Sequence, residues 1–172
     1  MPMSMIRIAP AASGADLDAA RALFSEYVQA PDWEPGFAAY LAQQDFRAEL
    51  AALPGAYAPP GGVLLLAWMA AQPVGCVACK PLEPPAVCEM KRLYVRPAAR
   101  GRRVAEQLVR HLLLTARDAG YRRMRLDTLP SMEAAQRLYT RLGFAEIPPY
   151  CSNPVPGARF LEADLAAPAP AG

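Results

Sequence analysis

The sequence of 172 residues predicts an α/β fold in a single domain over residues 1–165. Two observations carry that reading. Apolar, strand-like runs alternate with segments whose apolar residues recur at three- and four-residue spacing, the periods that distinguish a sheet face from a helix face. Glycine also falls just past two of the helical segments, at Gly120 and Gly143, where a left-handed residue stops a helix. The length suits one hydrophobic core.

A first strand is expected at 5–9. Ser13 or Asp16 caps the following helix, which runs to about Gln29 with Leu17, Ala20, Leu23, Phe24 and Val28 on one face. Pro31 and Pro35 interrupt the chain before a second helix over 36–53, carrying Phe37, Tyr40, Leu41 and Phe46. Pro54-Gly55 stops it, and Pro59-Pro60-Gly61-Gly62 is loop. The runs 63–71 and 74–80 read as an antiparallel hairpin turning at Gln72-Pro73, and a fourth strand covers 87–95. The helix 102–119 buries Ala105, Leu108, Leu112 and Ala116, and a fifth strand follows at 123–128. Ser131 caps a helix ending at Leu142-Gly143. Strands at 144–147 and 159–165 flank a proline-rich turn, and 166–172 reads as a disordered tail.

A net charge of +2 is too mild to point to nucleic acid by composition. The basic residues gather between Lys91 and Arg125, which concentrates positive potential in one region. Nineteen prolines, with abundant alanine, point to a GC-rich bacterial gene. No run approaches the roughly 18 apolar residues of a membrane span, and the first seven residues lack a secretion signal's pattern. A cytoplasmic location is expected, with neither membrane nor nucleic acid as partner; a homodimer stays open. Cys76 and Cys79 fall on opposite strand faces by alternation, and the single histidine, His111, lies mid-helix far from both. Buried thiols and no metal are the expectation.

The segment Arg100-Gly101-Arg102-Arg103-Val104-Ala105 has the layout of an anion site. It joins a strand to the start of a long helix, where unpaired amides and the macrodipole favour negative charge. Gly101 lets a phosphate approach the backbone, and the arginines add full charges. The segment resembles the pyrophosphate loop of the GNAT superfamily of N-acetyltransferases, Arg/Gln-x-x-Gly-x-Gly/Ala. Arg103 stands where that pattern has its central glycine; with ordinary helical dihedrals it still supplies its N–H.

The resemblance extends further. The segment 131–144, Ser-Met-Glu-Ala-Ala-Gln-Arg-Leu-Tyr-Thr-Arg-Leu-Gly-Phe, is similar to the family's Asn-x-x-Ala-x-x-Leu/Phe-Tyr-x-x-x-Gly-Phe, with Ser131 in place of the asparagine. Segments 50–60 and 148–154 look like a bacterial subgroup of unsettled substrate. The resemblance implies a mixed, mostly antiparallel sheet, flanked by helices and splayed between strands four and five. Acetyl-CoA is the implied co-substrate. Its pantetheine lies in the splay along Leu93, Tyr94 and Val95, its pyrophosphate on residues 100–105, and Ser131 and Ala135 complete the set.

Acetyl transfer to an amine needs a base, a polarised carbonyl and a proton for the leaving thiolate. By the same resemblance Tyr139 is the general acid and Glu89 the base, directly or through water, with Asp127 a rival. The resemblance also implies that the segment between the first two helices walls the acceptor site; here it holds Trp33, Phe37 and Tyr40 framed by Pro31 and Pro35, opposite Tyr150, and these rings form either a preformed apolar pocket or part of the core. A small primary amine is therefore the expected acceptor. A non-catalytic acyl-CoA-binding regulatory domain is the alternative, and the joint presence of Glu89 and Tyr139 speaks against it.

Overall fold

The structure, a computed structural model, describes residues 5–166. The expected tail, apart from Ala166, lies outside them. In chain order the elements are β1 (Ile6–Pro10), α1 (Gly14–Val28), α2 (Phe37–Gln43), α3 (Phe46–Ala52), β2 (Val63–Met69), β3 (Gln72–Pro81), β4 (Val87–Val95), α4 (Val104–Asp118), β5 (Arg123–Thr128), α5 (Glu133–Arg141), β6 (Ala145–Ile147) and β7 (Arg159–Asp164). They form one seven-stranded sheet, β1-β2-β3-β4-β5-β7-β6, covered by α4 and α5 on one face and by α1 and α3 on the other. The mixed, mostly antiparallel sheet expected from the sequence is what the chain builds.

β4 and β5 are the one parallel pair, in register through Val87–Arg123, Cys88–Met124 and Glu89–Arg125. Past Glu89 they share no register, and the sheet splays open. A bulge just beyond re-aims β4. Cys76 of β3 pairs with Tyr94, but Ala78 pairs with Lys91, so β4 holds one residue too many, and Arg92 takes a left-handed φ of 62°. Lys91 and Arg92 consequently both face α2 and α3, and the alternation then returns Leu93 and Val95 to the α4 side.

The bulge is held by a buried ion pair. Arg92 donates to Glu49 of α3 at 2.8 and 3.0 Å and to Gln44 at 2.9 Å. Its guanidinium also lies 5.1 Å from the Phe46 ring centre. Burial opposes this charge, yet the Glu49 carboxylate outweighs burial and lifts the Arg92 pKa above its ordinary range. The same contacts explain a correction. The single helix expected over 36–53 is two, α2 and α3, parted at Asp45, which has φ 50°; aspartate tolerates that conformation better than most residues.

Other local corrections have simple causes. The β2–β3 hairpin turns at Ala70-Ala71, not Gln72-Pro73, and Pro73 lies in β3 beside the register shift between Ala67 and Trp68, where a missing N–H is tolerated. Ser13 and Asp16 share the α1 cap: the Ser13 hydroxyl accepts from Asp16 N–H at 3.1 Å, and the Asp16 carboxylate accepts from Ser13 N–H at 3.2 Å. Ser131 does not cap α5, whose N-cap position is Met132 with no side-chain hydrogen bond. In α4 the core face is Val104, Leu108, Val109, Leu112 and Ala116; Ala105 is half-buried, packing against the edge of that core and lining a cleft. A Cβ at Gly75 would stand 2.9 Å from Tyr94 O and 3.1 Å from Leu108 Cδ1, so this glycine lets α4 sit close to the sheet. Cys76 and Cys79 join opposite cores, as their spacing requires.

Glu49→Gln strips the partner from a buried guanidinium and is expected to destabilise the fold by about 3 kcal/mol, measured by urea denaturation. The double variant Arg92→Met/Glu49→Leu should lose less than the sum of its singles, because neither charge is then left unpaired.

Candidate active site

The splay opens on a cleft of about 440 Å³. Leu93, Tyr94 and Val95 of β4 form one wall; Ala135, Leu138 and Tyr139 of α5 form the other. With β5 absent beyond Glu89, this stretch of β4 has no strand partner on the cleft side. The lining is largely apolar, and Ser131 and Trp33 stand at its rim. At Val95, Arg100 and Ala105 the cleft runs into a second groove of about 410 Å³ at the start of α4. Gly101, Arg103 and Val104 line that groove, as do Arg137 and Arg141 of α5. One continuous trench thus passes from apolar to strongly basic. Arg102, grouped with the loop residues in the sequence, is exposed and lies on neither wall.

Arg103 departs from the helical dihedrals expected of it. It is the N-cap residue of α4, with φ 60° and ψ 26°, a left-handed conformation that costs a non-glycine residue roughly 1–2 kcal/mol. That geometry accounts for the glycine at this place in the family's pattern. Gly101 shares the left-handed region, with φ 79°.

Tyr139 is placed by α5 against Phe144, the ring centres 5.6 Å apart. No described residue hydrogen-bonds its hydroxyl. It lines both the cleft and a small polar gap of about 30 Å³ between the splayed strands, bordered by Tyr40, Lys91 and Asp127, room for one water. Burial pushes the Tyr139 phenol well above its ordinary pKa, and the neighbouring Tyr27 and Asp127 add to the shift.

Behind the gap lies a buried charge cluster. The Lys91, Asp127 and Glu89 side chains are 4%, 3% and 7% exposed. Lys91 Nζ stands 3.9 Å from Glu89 and 4.0 Å from Asp127 and donates to the Tyr40 hydroxyl at 3.3 Å. Asp127 accepts from Asn153 Nδ2 at 3.0 Å and from Tyr40 at 3.3 Å. Glu89 accepts from the Tyr150 hydroxyl at 2.6 Å, and it borders neither cleft nor gap. Burial first and Glu89 second hold Tyr150 firmly protonated.

Of the residues expected on the acceptor side, Trp33 reaches the cleft, and its indole N–H donates to Tyr27 O at 2.9 Å. Phe37 does not; it is 5% exposed and stacked on Trp33 with ring centres 4.1 Å apart. Ser131 serves another purpose than a cap. Its N–H and hydroxyl both donate to Glu34, at 2.9 and 2.7 Å, and strap the loop bearing Trp33 to the start of α5.

Sequence reasoning missed Lys91, Asn153, Arg137 and Arg141. Consecutive cations at 91 and 92 within a buried strand, and two arginines four apart in the α5 motif, were the available signals. Among the described residues, no three His, Cys, Asp or Glu side chains converge as a metal would need, and no helix is long and apolar enough to cross a membrane.

A sheet split at its parallel pair, over a trench that turns basic at a helix start, defines a coenzyme A-type acyltransferase architecture. The chain belongs to the acetyltransferase (GNAT) family, whose model matches residues 19–144. An uncharacterized N-acetyltransferase of Schizosaccharomyces pombe is 37% identical over 166 residues, covering 96% of this chain and 98% of the relative, so the bacterial origin expected from composition gains no support from this relative. A GNAT-family acetyltransferase of Staphylococcus aureus shares the fold with a TM-score of 0.73 at 18% identity, over 94% of this chain and 99% of that one. PaiA N-acetyltransferase of Thermoplasma acidophilum, solved with coenzyme A, follows at 0.68 and 14%, over 93% and 99%.

Arg103→Gly is expected to raise stability by up to about 1 kcal/mol, the strain relieved exceeding glycine's cost in the unfolded chain. Arg103→Val should lower it by more than about 1 kcal/mol. Thermal and urea unfolding of both variants measure the difference.

Proposed function

We propose that the protein transfers the acetyl group of acetyl-CoA to a primary amine of a small molecule by direct attack, with Tyr139 facing the leaving sulfur and Asp127 receiving the amine proton. The observation that carries this reading is the unbonded Tyr139 hydroxyl at the junction of cleft and gap. The trench suits the donor: its apolar part lies along the unpartnered edge of β4, and its basic part offers amides and guanidiniums to phosphates. The coenzyme A held by the Thermoplasma neighbour supports the same assignment.

Acetyl-CoA, when bound, supplies a thioester whose carbonyl carbon takes the amine nitrogen and whose sulfur departs with the electron pair. The raised pKa of Tyr139 keeps its phenol protonated near pH 7. An alkyl thiol, with a pKa near about 8.5, is the stronger acid of the two. Tyr139 therefore acts by donating a hydrogen bond to the sulfur as negative charge develops there, and it ends the cycle as a phenol.

Position supports Asp127 as the base. Asn153 and Tyr40 hold Asp127 on the gap that Tyr139 also borders, within a water's reach of an amine in the splay. Glu89, the base expected from the resemblance, is the second candidate, since Lys91 bridges the two carboxylates while the Tyr150 hydroxyl occupies Glu89 itself. Trp33 and Asp32 on the cleft offer the non-reacting end of an acceptor one aromatic face and one carboxylate, a small recognition set that favours a small amine over a peptide tail.

Tyr139→Phe keeps the ring and removes the donor, so kcat should fall by about 10²-fold while acetyl-CoA affinity shifts less than about threefold. Asp127→Asn should cost a similar factor and Glu89→Gln less than about tenfold. The reverse order returns the base to Glu89.

A panel of amines assayed with acetyl-CoA by thiol release tests the acceptor class. Turnover of small primary amines is expected, with Trp33→Ala raising KM for the amine and leaving that for acetyl-CoA alone. Acetylation of peptides with silence on every small amine overturns the acceptor reading. Tight acetyl-CoA binding with no thiol release from any acceptor favours the regulatory domain.

A further inference from the structure

The chain is nearly free of lysine. Of its 18 lysine and arginine residues only Lys80 and Lys91 are lysines, and both end 3.9 Å from the same Glu89 oxygen. Their surroundings differ: the Lys80 side chain is 37% exposed, that of Lys91 only 4%. Lys91 nevertheless meets free space on its inner side. It borders the gap of about 30 Å³ between the splayed strands, and Tyr27, Leu93, Met132 and Tyr139 line both that gap and the cleft. Among the described residues lining either space, Lys91 carries the only side-chain amine. Its Nζ is held there by the Tyr40 hydroxyl at 3.3 Å and by Asp127 at 4.0 Å, and both of these residues also border the gap or its rim.

We infer that Lys91 is an acetylation site of the protein itself, taking the acetyl group of bound acetyl-CoA across the gap when no other acceptor is present. This rests on the acetyl-transfer reading above, which sets the thioester at Tyr139. A primary amine then already stands beside the carboxylate that receives an acceptor's proton, with a space for one water between it and the Tyr139 side of the gap. Attack by a tethered amine is unimolecular, an advantage no free amine has. In the step, Asp127 takes one proton from the Lys91 ammonium and passes it to solvent. The freed lone pair of Nζ bonds to the carbonyl carbon, and the carbon–sulfur bond breaks with its electron pair on sulfur. The second proton lost by the nitrogen reaches the thiolate through water in the gap. The products are N-acetylated Lys91, the coenzyme A thiol and one released proton. The acetylated side chain is neutral and longer. It withdraws the cation that Glu89 and Asp127 share and fills the gap, so modification should shut down transfer to an outside amine.

The test is incubation of the full chain with isotopically labelled acetyl-CoA and no acceptor, followed by peptide mass mapping with a protease indifferent to lysine. Label is expected on Lys91 and not on the more exposed Lys80, with turnover of a small amine falling in proportion to the labelled fraction. Acetyl already on Lys91 at purification is counted with the label. Asp127→Asn and Tyr139→Phe, compared at unchanged melting temperature, should each slow the labelling by at least about tenfold. Label on Lys80 equal to that on Lys91, or a rate unmoved in both variants, marks chemical acetylation and overturns the inference. So does a bare Lys91 in a protein that acetylates small amines, a result that leaves the acetyl-transfer reading standing. A bare Lys91 with no amine acetylated at all overturns that reading and the inference with it.

Discussion

A guanidinium buried in a sheet must find a carboxylate, and in this protein that need anchors the bulge of β4 against α3. Arg92 reaches Glu49 because β4 bulges, and the bulge is sustained because Arg92 is anchored there. The surplus residue puts two successive side chains on one face and reverses the parity of all that follows. Lys91 goes to the polar cluster; Leu93 and Val95 go to the trench. Without the pair the bulge has no anchor.

The polar cluster extends that logic to the interior. Lys91 lies between two carboxylates with nearly no solvent access, a placement tolerated only because Tyr40, Tyr150 and Asn153 complete the hydrogen bonds. These partners come from α2 and from the loop joining β6 to β7, elements distant in sequence. The cluster therefore ties the acceptor-side segments to the centre of the sheet. It also sets the two carboxylates apart in surroundings, one on the gap beside Tyr139 and one behind a phenol.

The sequence made some of this plain and hid the rest for physical reasons. α4 and α5 are legible because amphipathic spacing and terminal glycines are local signals, and the splay came with the motifs they carry. The bulge is not local in that sense. Alternation along β4 runs cleanly to Lys91, and the insertion shows only against the register of β3. The break at Asp45 depends on Arg92 arriving from another strand, and the left-handed Arg103 is disguised by a side chain that ordinarily avoids that conformation. Glu89 matched a family position on its own strand. Whether it or Asp127 meets the gap depended on a tyrosine from a loop some sixty residues away.

The strap between Glu34 and Ser131 fixes a length. It joins the segment bearing Trp33 to the helix bearing Tyr139 through two short hydrogen bonds on one carboxylate. On the acetyl-transfer reading proposed above, the far wall of the acceptor space and the group facing the sulfur form one gauge of set span. On that reading an amine is measured by reach: its nitrogen must arrive at the thioester while its other end rests on the indole. Homologues with a different residue at either end of the strap would be expected to measure a different molecule, even with every catalytic side chain unchanged.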